Sequence, residues 1–418
     1  MAHLLMIESW VGGTGRLFPA AIRRLGHRYT FVARNRAHYL DARTREIHPV
    51  IEHADHVLTA ETNDLPSLVE FLRQQHQVLG FDGVVTICDY YIDTVAEVAK
   101  SLNLPQGFPD RVADIRRKDR VREAIARAGL PNPEFAVADD WPSTLAAANR
   151  IGFPLVLKPT DLASSAFVRF VRDEAELKEA FDALAAFPKN FREQARPMQW
   201  LLEAYMTGEE VSVEAVTHDG ETTILGITDK SVTGFPYFIE DGHMFPAALD
   251  PATEQAVHAL VLGALRAVGL DHGISHTEVK LTPDGPRVVE INPRPGGNYI
   301  AELIQRVTGI DLLEAQIELA LGRRPTLARE ATGVHSAAIK FLVPPRGGRL
   351  SALRGTESLD EDPHLVRAAV PALRDISVSA PIDNACYLGH VLAFDAHGTG
   401  ARAHAEQALR RVEFDFAD

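Results

Sequence analysis

The chain has 418 residues, 46% hydrophobic and 24% charged, which fits a folded protein with core enough for two or three domains. Its net charge of −14 excludes a broad nucleic-acid groove, which needs a basic face, and leaves only small anions held by local cations. The two cysteines, Cys88 and Cys386, suit a reducing cytoplasm; the opening MAHLLMIESWVGG is no signal peptide, and no apolar run reaches the ~20 residues that span a bilayer.

In chain order, the first ~110 residues alternate strand and helix patterns, as in a parallel α/β domain. HLLMIES reads as a strand, GRLFPAAIRRLG as a helix, YTFVAR and GVVTICD as strands, and YYIDTVAEVAKSLNL as a helix. DIRRKDRVREAIARAG reads as one amphipathic helix with Gly129 just past its end. A small unit follows, with strands FAVAD, PLVLKP and FVRFVRD and helices TLAAANRIG and AELKEAFDALAAF. Beyond Met198 the strands lengthen (MQWLLEAYM, EEVSVEAVTHDG, ETTILGITDKSV). Then come the helix TEQAVHALVLGALRAVG, a hairpin ISHTEVKL–TPDGP–RVVEIN, and the helix LLEAQIELALG. From about Thr332 further strands precede a closing helix near HAEQALRRV.

VGGTGRLF follows the first strand and opens a helix, which invites a dinucleotide-binding reading. Gly13 and Gly15 fit that fingerprint, but Phe18 takes its third position and the second strand ends in Arg34 and Asn35 instead of an acid. A tight turn bordering a substrate pocket is the better expectation.

In RVVEINPRPGGN, Glu290, Asn292 and Arg294 occupy alternate strand positions and therefore share a face. A five-residue TPDGP loop pairs Leu281 with Arg287, sets Glu278 opposite Glu290 and His276 opposite Asn292. A two-residue Asp284–Gly285 turn would put the glutamates on opposite faces, and Pro286 argues against it. Opposed carboxylates repel unless a cation lies between them. Two carboxylates and an amide suit Mg²⁺. The alternative is a wet hairpin with its charges splayed into solvent.

With these residues in hand, the chain resembles the ATP-grasp ligases over about residues 1–330, nearest the L-amino acid (dipeptide) ligase and carnosine synthase branch. The resemblance implies a three-domain α/β architecture: a parallel α/β domain over 1–112, a linker helix and small lid subdomain over 113–202, and an α+β domain over 203–418 carrying the metal site and, from about 332, a C-terminal extension. It implies ATP as a substrate and Mg²⁺, with Mn²⁺ as substitute, on Glu278, Glu290 and Asn292. Lys118 in RRKDR and Lys158 in FPLVLKP match the phosphate lysines, although Lys118 also reads as one more solvated charge. TDLASSAFV, with Ser164 and Ser165, matches the phosphate lid but lacks its glycine. LLEAYMTGEE matches the adenine hinge, with Glu203 at the amino group, the Tyr205 and Met206 backbone at the base edge, and Glu210 at the ribose. Arg294 matches the arginine that steadies the reacting centre. Within DKSVTGFPYFIEDGHMFPA, Lys230 is expected at a phosphate and Glu240 or His243 beside the substrates. Gly296, Gly297 and Asn298 are expected near the acyl carboxylate.

The implied reaction joins a carboxylate to an amine through an acyl phosphate, in a cytoplasmic protein from a family where homodimers are common, with no nucleic-acid or membrane partner. A purine-pathway ligase or a carboxylase would share every nucleotide residue. A nucleotide-binding protein without catalysis would tolerate losing Arg294.

Overall fold

The computed structural model describes residues 1–40 and 46–417. Its N-terminal sheet is parallel, in the order His56–Thr59, Arg28–Ala33, His3–Ile7, Gly83–Val85. The HLLMI strand is buried along its whole length because both faces are covered. Leu5 and Ile7 pack with Leu68, Leu72 and Val95 of two flanking helices. Leu4 and Met6 pack on the other side with Ile22 and with Ile317 of the distant Leu312–Ala320 helix.

A second, antiparallel sheet runs Phe135–Ala138, Trp200–Ala204, Leu155–Pro159, Arg169–Val171. Alternation decides its two faces. Leu155, Leu157, Trp200 and Leu202 pack on the helices Trp141–Ile151 and Glu174–Ala185. Val156, Lys158 and Glu203 are left to the opposite side.

The largest sheet has eight antiparallel strands, from Gly285–Asn292 at one edge through Gly273–Thr282, Glu209–His218, Glu221–Thr233, Ile239–Phe245, Ser336–Phe341 and His390–Asp395 to Leu365–Ala369. Val211, Val213 and Val279 bury one face against the Pro251–Val268 helix. The other face carries Glu210, Glu214, Lys230, His276, Glu278 and Lys280 in one register. A three-stranded sheet, Arg374–Val378, Gly348–Arg354 and Glu413–Phe416, lies in the C-terminal part. Among the described residues no helix is long and apolar enough to cross a membrane, and both cysteines are free and buried.

Three local expectations are corrected. The charged helix is two, Val112–Ile115 and Lys118–Arg127, because Arg117 is extended and the Lys118 amide donates to Thr160 O at 3.1 Å. A helix at Ile300–Thr308, unassigned from sequence, follows the PGGN turn. The hairpin turns at Pro283–Asp284, so Thr282 pairs with Gly285 and Leu281 with Pro286. Pro286 is accommodated because its strand is an edge and its missing N–H lies on the unpaired side. A bulge beyond Val279 and Val288 then restores the expected pairs, Glu278 with Glu290 and His276 with Asn292.

Candidate active site

A cavity of about 540 Å³ opens between the small sheet, the polar face of the large sheet and the N-terminal domain. Lys118, Lys158, Ser164, Ser165, Glu203, Tyr205, Met206 and Glu210 line one part of it. Glu240, Glu278, Glu290, Asn292, Arg294, Gly297 and Asn298 line the rest. The Gly12–Gly15 turn borders it too, as expected of a pocket-side turn. Gly15 is required there, since a Cβ would lie 2.0 Å from the Trp10 carbonyl oxygen.

Three expected contact residues stand behind the wall. Lys230 is buried beneath the carboxylates, with its Nζ 2.9 Å from Glu210, 3.2 Å from Glu240 and 2.9 Å from Glu278. His243 is buried 3.4 Å from Glu240 and opposite Lys230 on the neighbouring strand, and it does not line the cavity. Gly296 packs on Ile300, Glu214 and His276, where a Cβ would come within 3.0–3.1 Å of all three.

The two phosphate-lysine candidates are both buried. Lys118 sits at a helix start and donates to Leu162 O at 2.7 Å and Glu290 at 2.9 Å, so the reading of a solvated surface charge does not hold. Lys158 pairs with Glu203 at 2.8 Å. Burial, against the pull of Glu203 and with a push from Arg122, lowers its ammonium from the ordinary range. The lid loop makes up for its missing glycine in its backbone: Ser164 and Ser165 take φ values of 61° and 57°.

Residues 151–302 match the ATP-grasp domain, residues 18–106 the ATP-grasp N-terminal domain, and residues 340–417 the L-amino acid ligase C-terminal domain 2. The chain has the ATP-grasp fold and carries ATP-grasp domains. Its domain content is that of an ATP-grasp ligase. This ATP-grasp protein is 31% identical to carnosine synthase 1 of Gallus gallus, across 83% of the chain and 39% of that relative. It is 28% identical to alanine–anticapsin ligase of Bacillus amyloliquefaciens, across 66% of the chain and 63% of that relative. The chain thus spans less than two thirds of either relative's length. Its fold superposes on the crystal structure of the L-amino acid ligase from Bacillus licheniformis with a TM-score of 0.82 at 22% identity, over 100% of this chain and 99% of that one.

Electrostatics organise the ATP-grasp cavity. Burial disfavours charge on Lys230, yet its three carboxylates hold the ammonium well above its ordinary range. In turn Lys230 outweighs burial at Glu240, whose carboxyl is held at about 2, and at Glu278, held well below the carboxylate range. His276 bridges Glu214 at 2.6 Å and Glu278 at 3.3 Å, and Glu214 outweighs burial to raise its imidazole to about 9.

Glu278, Glu290 and Asn292 form an all-oxygen donor set on adjacent strands facing the cavity, which fits Mg²⁺. Lys230 balances Glu278 and Lys118 balances Glu290, so their cross-strand repulsion is already relieved from two sides.

Several lining or bracing residues escaped the sequence reading. Asp89 of the N-terminal domain accepts Arg294 Nε at 2.6 Å and Trp10 Nε1 at 2.9 Å. Arg122 is fully buried and donates to Glu203 and to Val288 O at 2.5 Å each, and to Val289 O at 3.1 Å, so it grips the hairpin bulge. With Lys158 it keeps the Glu203 carboxyl at about 2, against burial. From the C-terminal segment, Asn384, Tyr387 and His390 reach the cavity, and the Tyr387 hydroxyl donates to Glu240 O at 2.6 Å.

Proposed function

We propose that the protein is an ATP-dependent carboxylate–amine ligase that joins an amino acid or related acid to the amine of a second amino acid. The observation carrying this reading is one cavity that gathers two buried lysines, an opposed pair of carboxylates with an amide, and a half-buried arginine. The likeness to carnosine synthase and alanine–anticapsin ligase supports the acid–amino-acid pairing.

A substrate carboxylate attacks the γ-phosphorus of ATP, giving an acyl phosphate and ADP. The amine nitrogen then attacks the acyl carbon, loses a proton, and phosphate leaves. Carboxylate alone is a poor electrophile, so phosphorylation turns one difficult step into two easier ones. Lys118 and Lys158 meet the nucleotide phosphates under the Ser164–Ser165 lid. Tyr205 and Met206 edge the base, with Glu203 behind its amino group and Glu210 at the ribose. Glu278, Glu290 and Asn292 hold Mg²⁺, which when bound neutralises phosphate charge. Arg294, clamped by Asp89, stabilises the oxyanion of the acyl centre. The Gly297 and Asn298 backbone faces the acyl group, and Gly296 lets that turn pack closely.

Glu240, held at about 2, is a poor proton acceptor at rest and instead presents negative charge to an incoming ammonium. His243, 3.4 Å behind Glu240 and outside the cavity lining, acts on the substrates through Glu240.

The test is phosphate release on mixing enzyme, ATP and Mg²⁺ with paired L-amino acids. Release that needs both partners supports the reading, and release with no pair overturns it, as would release driven by bicarbonate alone. Arg294→Ala should nearly abolish turnover while leaving ATP binding measurable.

A further inference from the structure

We propose that His218, Asp219 and His272 form a zinc site separate from the ATP cavity. One donor atom from each lies within 4.8 Å of the others. The two imidazole rings sit 5.2 Å apart, centre to centre, and His218 Nδ1 lies 3.2 Å from Asp219. None of the three lines the cavity.

The backbone holds the arrangement. His218 ends a strand and pairs with Glu221 across the Asp219–Gly220 turn, in which both residues have positive φ. The Gly220 amide donates to Asp271 O at 2.8 Å, which pins the turn against the loop carrying His272. The His272 ring is half-buried beside the turn, 5.2 Å from the His218 ring. Its Nε2 is buried, with no hydrogen-bond partner among the described residues. A buried imidazole nitrogen without a hydrogen bond is costly unless a ligand meets it, and imidazole nitrogen is the commonest metal donor.

Two imidazoles and one carboxylate select a borderline ion such as Zn²⁺ over Mg²⁺, which prefers oxygen throughout. Tetrahedral donors at ~2.1 Å from zinc lie about 3.4 Å apart, so the cluster must contract by roughly 1.4 Å. The Asp219 side chain is 83% exposed and the two imidazoles are half-buried at a turn and a loop, so rotation of all three side chains supplies that movement. A fourth position stays open to water. The site would fasten the strand turn to the 104–109 segment, where Gly273 packs beside Gly107 and Pro109.

The experiment uses full-length, tag-free protein stripped with chelator and titrated with Zn²⁺ under excess Mg²⁺, with bound metal counted by mass spectrometry. Wild type should take up one equivalent. His218→Ala and His272→Ala should bind at least ~100-fold more weakly, since even outer partners of a ligand cost 10–100-fold. Glu278→Gln should bind as wild type. No zinc uptake by wild type would overturn the site, as would uptake lost in Glu278→Gln and kept in the histidine variants. Should His272→Ala fail to fold by circular dichroism, Co²⁺ in wild type decides: an intense tetrahedral spectrum supports the site, and a weak octahedral one refutes it.

Discussion

Replacing Lys230 with methionine removes one buried charge and keeps most of the stem volume. Three carboxylates, those of Glu210, Glu240 and Glu278, then face one another without their shared cation. Glu240 supplies a scale: Lys230 leads the effects that outweigh burial and bring its carboxyl from 4.5 to about 2. At ~1.36 kcal/mol per pH unit that gap converts to about 3 kcal/mol, and Glu278 adds in the same direction. Breaking a buried pair by removing one partner costs ~3–5 kcal/mol, so the two scales agree. A depressed carboxyl contributes stability that is present above its ordinary value and lost as pH falls through about 2. Without Lys230 the folded carboxyls rise instead, so the deficit grows as pH climbs above the ordinary value. Unfolding free energies of both proteins from urea titrations at about pH 7.5 should differ by ~3–5 kcal/mol, and the gap should narrow at about pH 5. A gap under ~1 kcal/mol, or one equal at both pH values, would refute the bracing role.

Asp89→Asn leaves Arg294 charged but weakens its clamp. Turnover should fall on the order of 10²-fold while the KM for ATP changes little, because a misplaced group costs rate more than binding; steady-state phosphate release decides, and unchanged turnover rejects the clamp. His276, raised to about 9 with Glu214 overcoming burial, contributes stability that is full below 6.5 and lost as pH rises through about 9. That contribution is about 3 kcal/mol, so wild type should melt earlier on passing from about pH 7 to pH 9.5 and His276→Gln should not. Equal alkaline slopes in thermal melts would exclude the His276–Glu214 pair as their source.

The legible parts of the site were those written into one short segment. The alternation of Glu290 and Asn292 needs only the two-residue period of a strand. Arg294, expected on the same strand, lies in the bend past its end at Asn292 yet lines the same cavity. Lys158 ends a run of apolar residues too buried to leave it in water. Arg122 and Lys118 were harder, because in RRKDRVRE every charge looks solvated. The signal was their spacing of four, which puts both on the stripe shared with Val121 and Ile125. Asp89 carried no local signal at all: 205 residues separate it from Arg294, and only the packing of the first sheet against the third brings them together. Tyr387 and His390 were likewise hidden in a segment whose pattern reads as plain strands. The parallel N-terminal sheet was legible from its apolar runs, whereas the break at Arg117 depends on Thr160, a partner from another sheet.

The hairpin carries a parity rule. A short turn alone would have left the facing pairs one step out of phase, and the extra residue at Val289 corrects the count. A longer connection with no extra residue would reach the same pairing. Turn length and bulge are therefore interchangeable halves of one sum, and only that sum decides whether the two glutamates meet. Side chains in the turn can vary widely without consequence for the facing glutamates. A single-residue insertion or deletion anywhere between Val279 and Val289 cannot, unless a second change of length restores the parity.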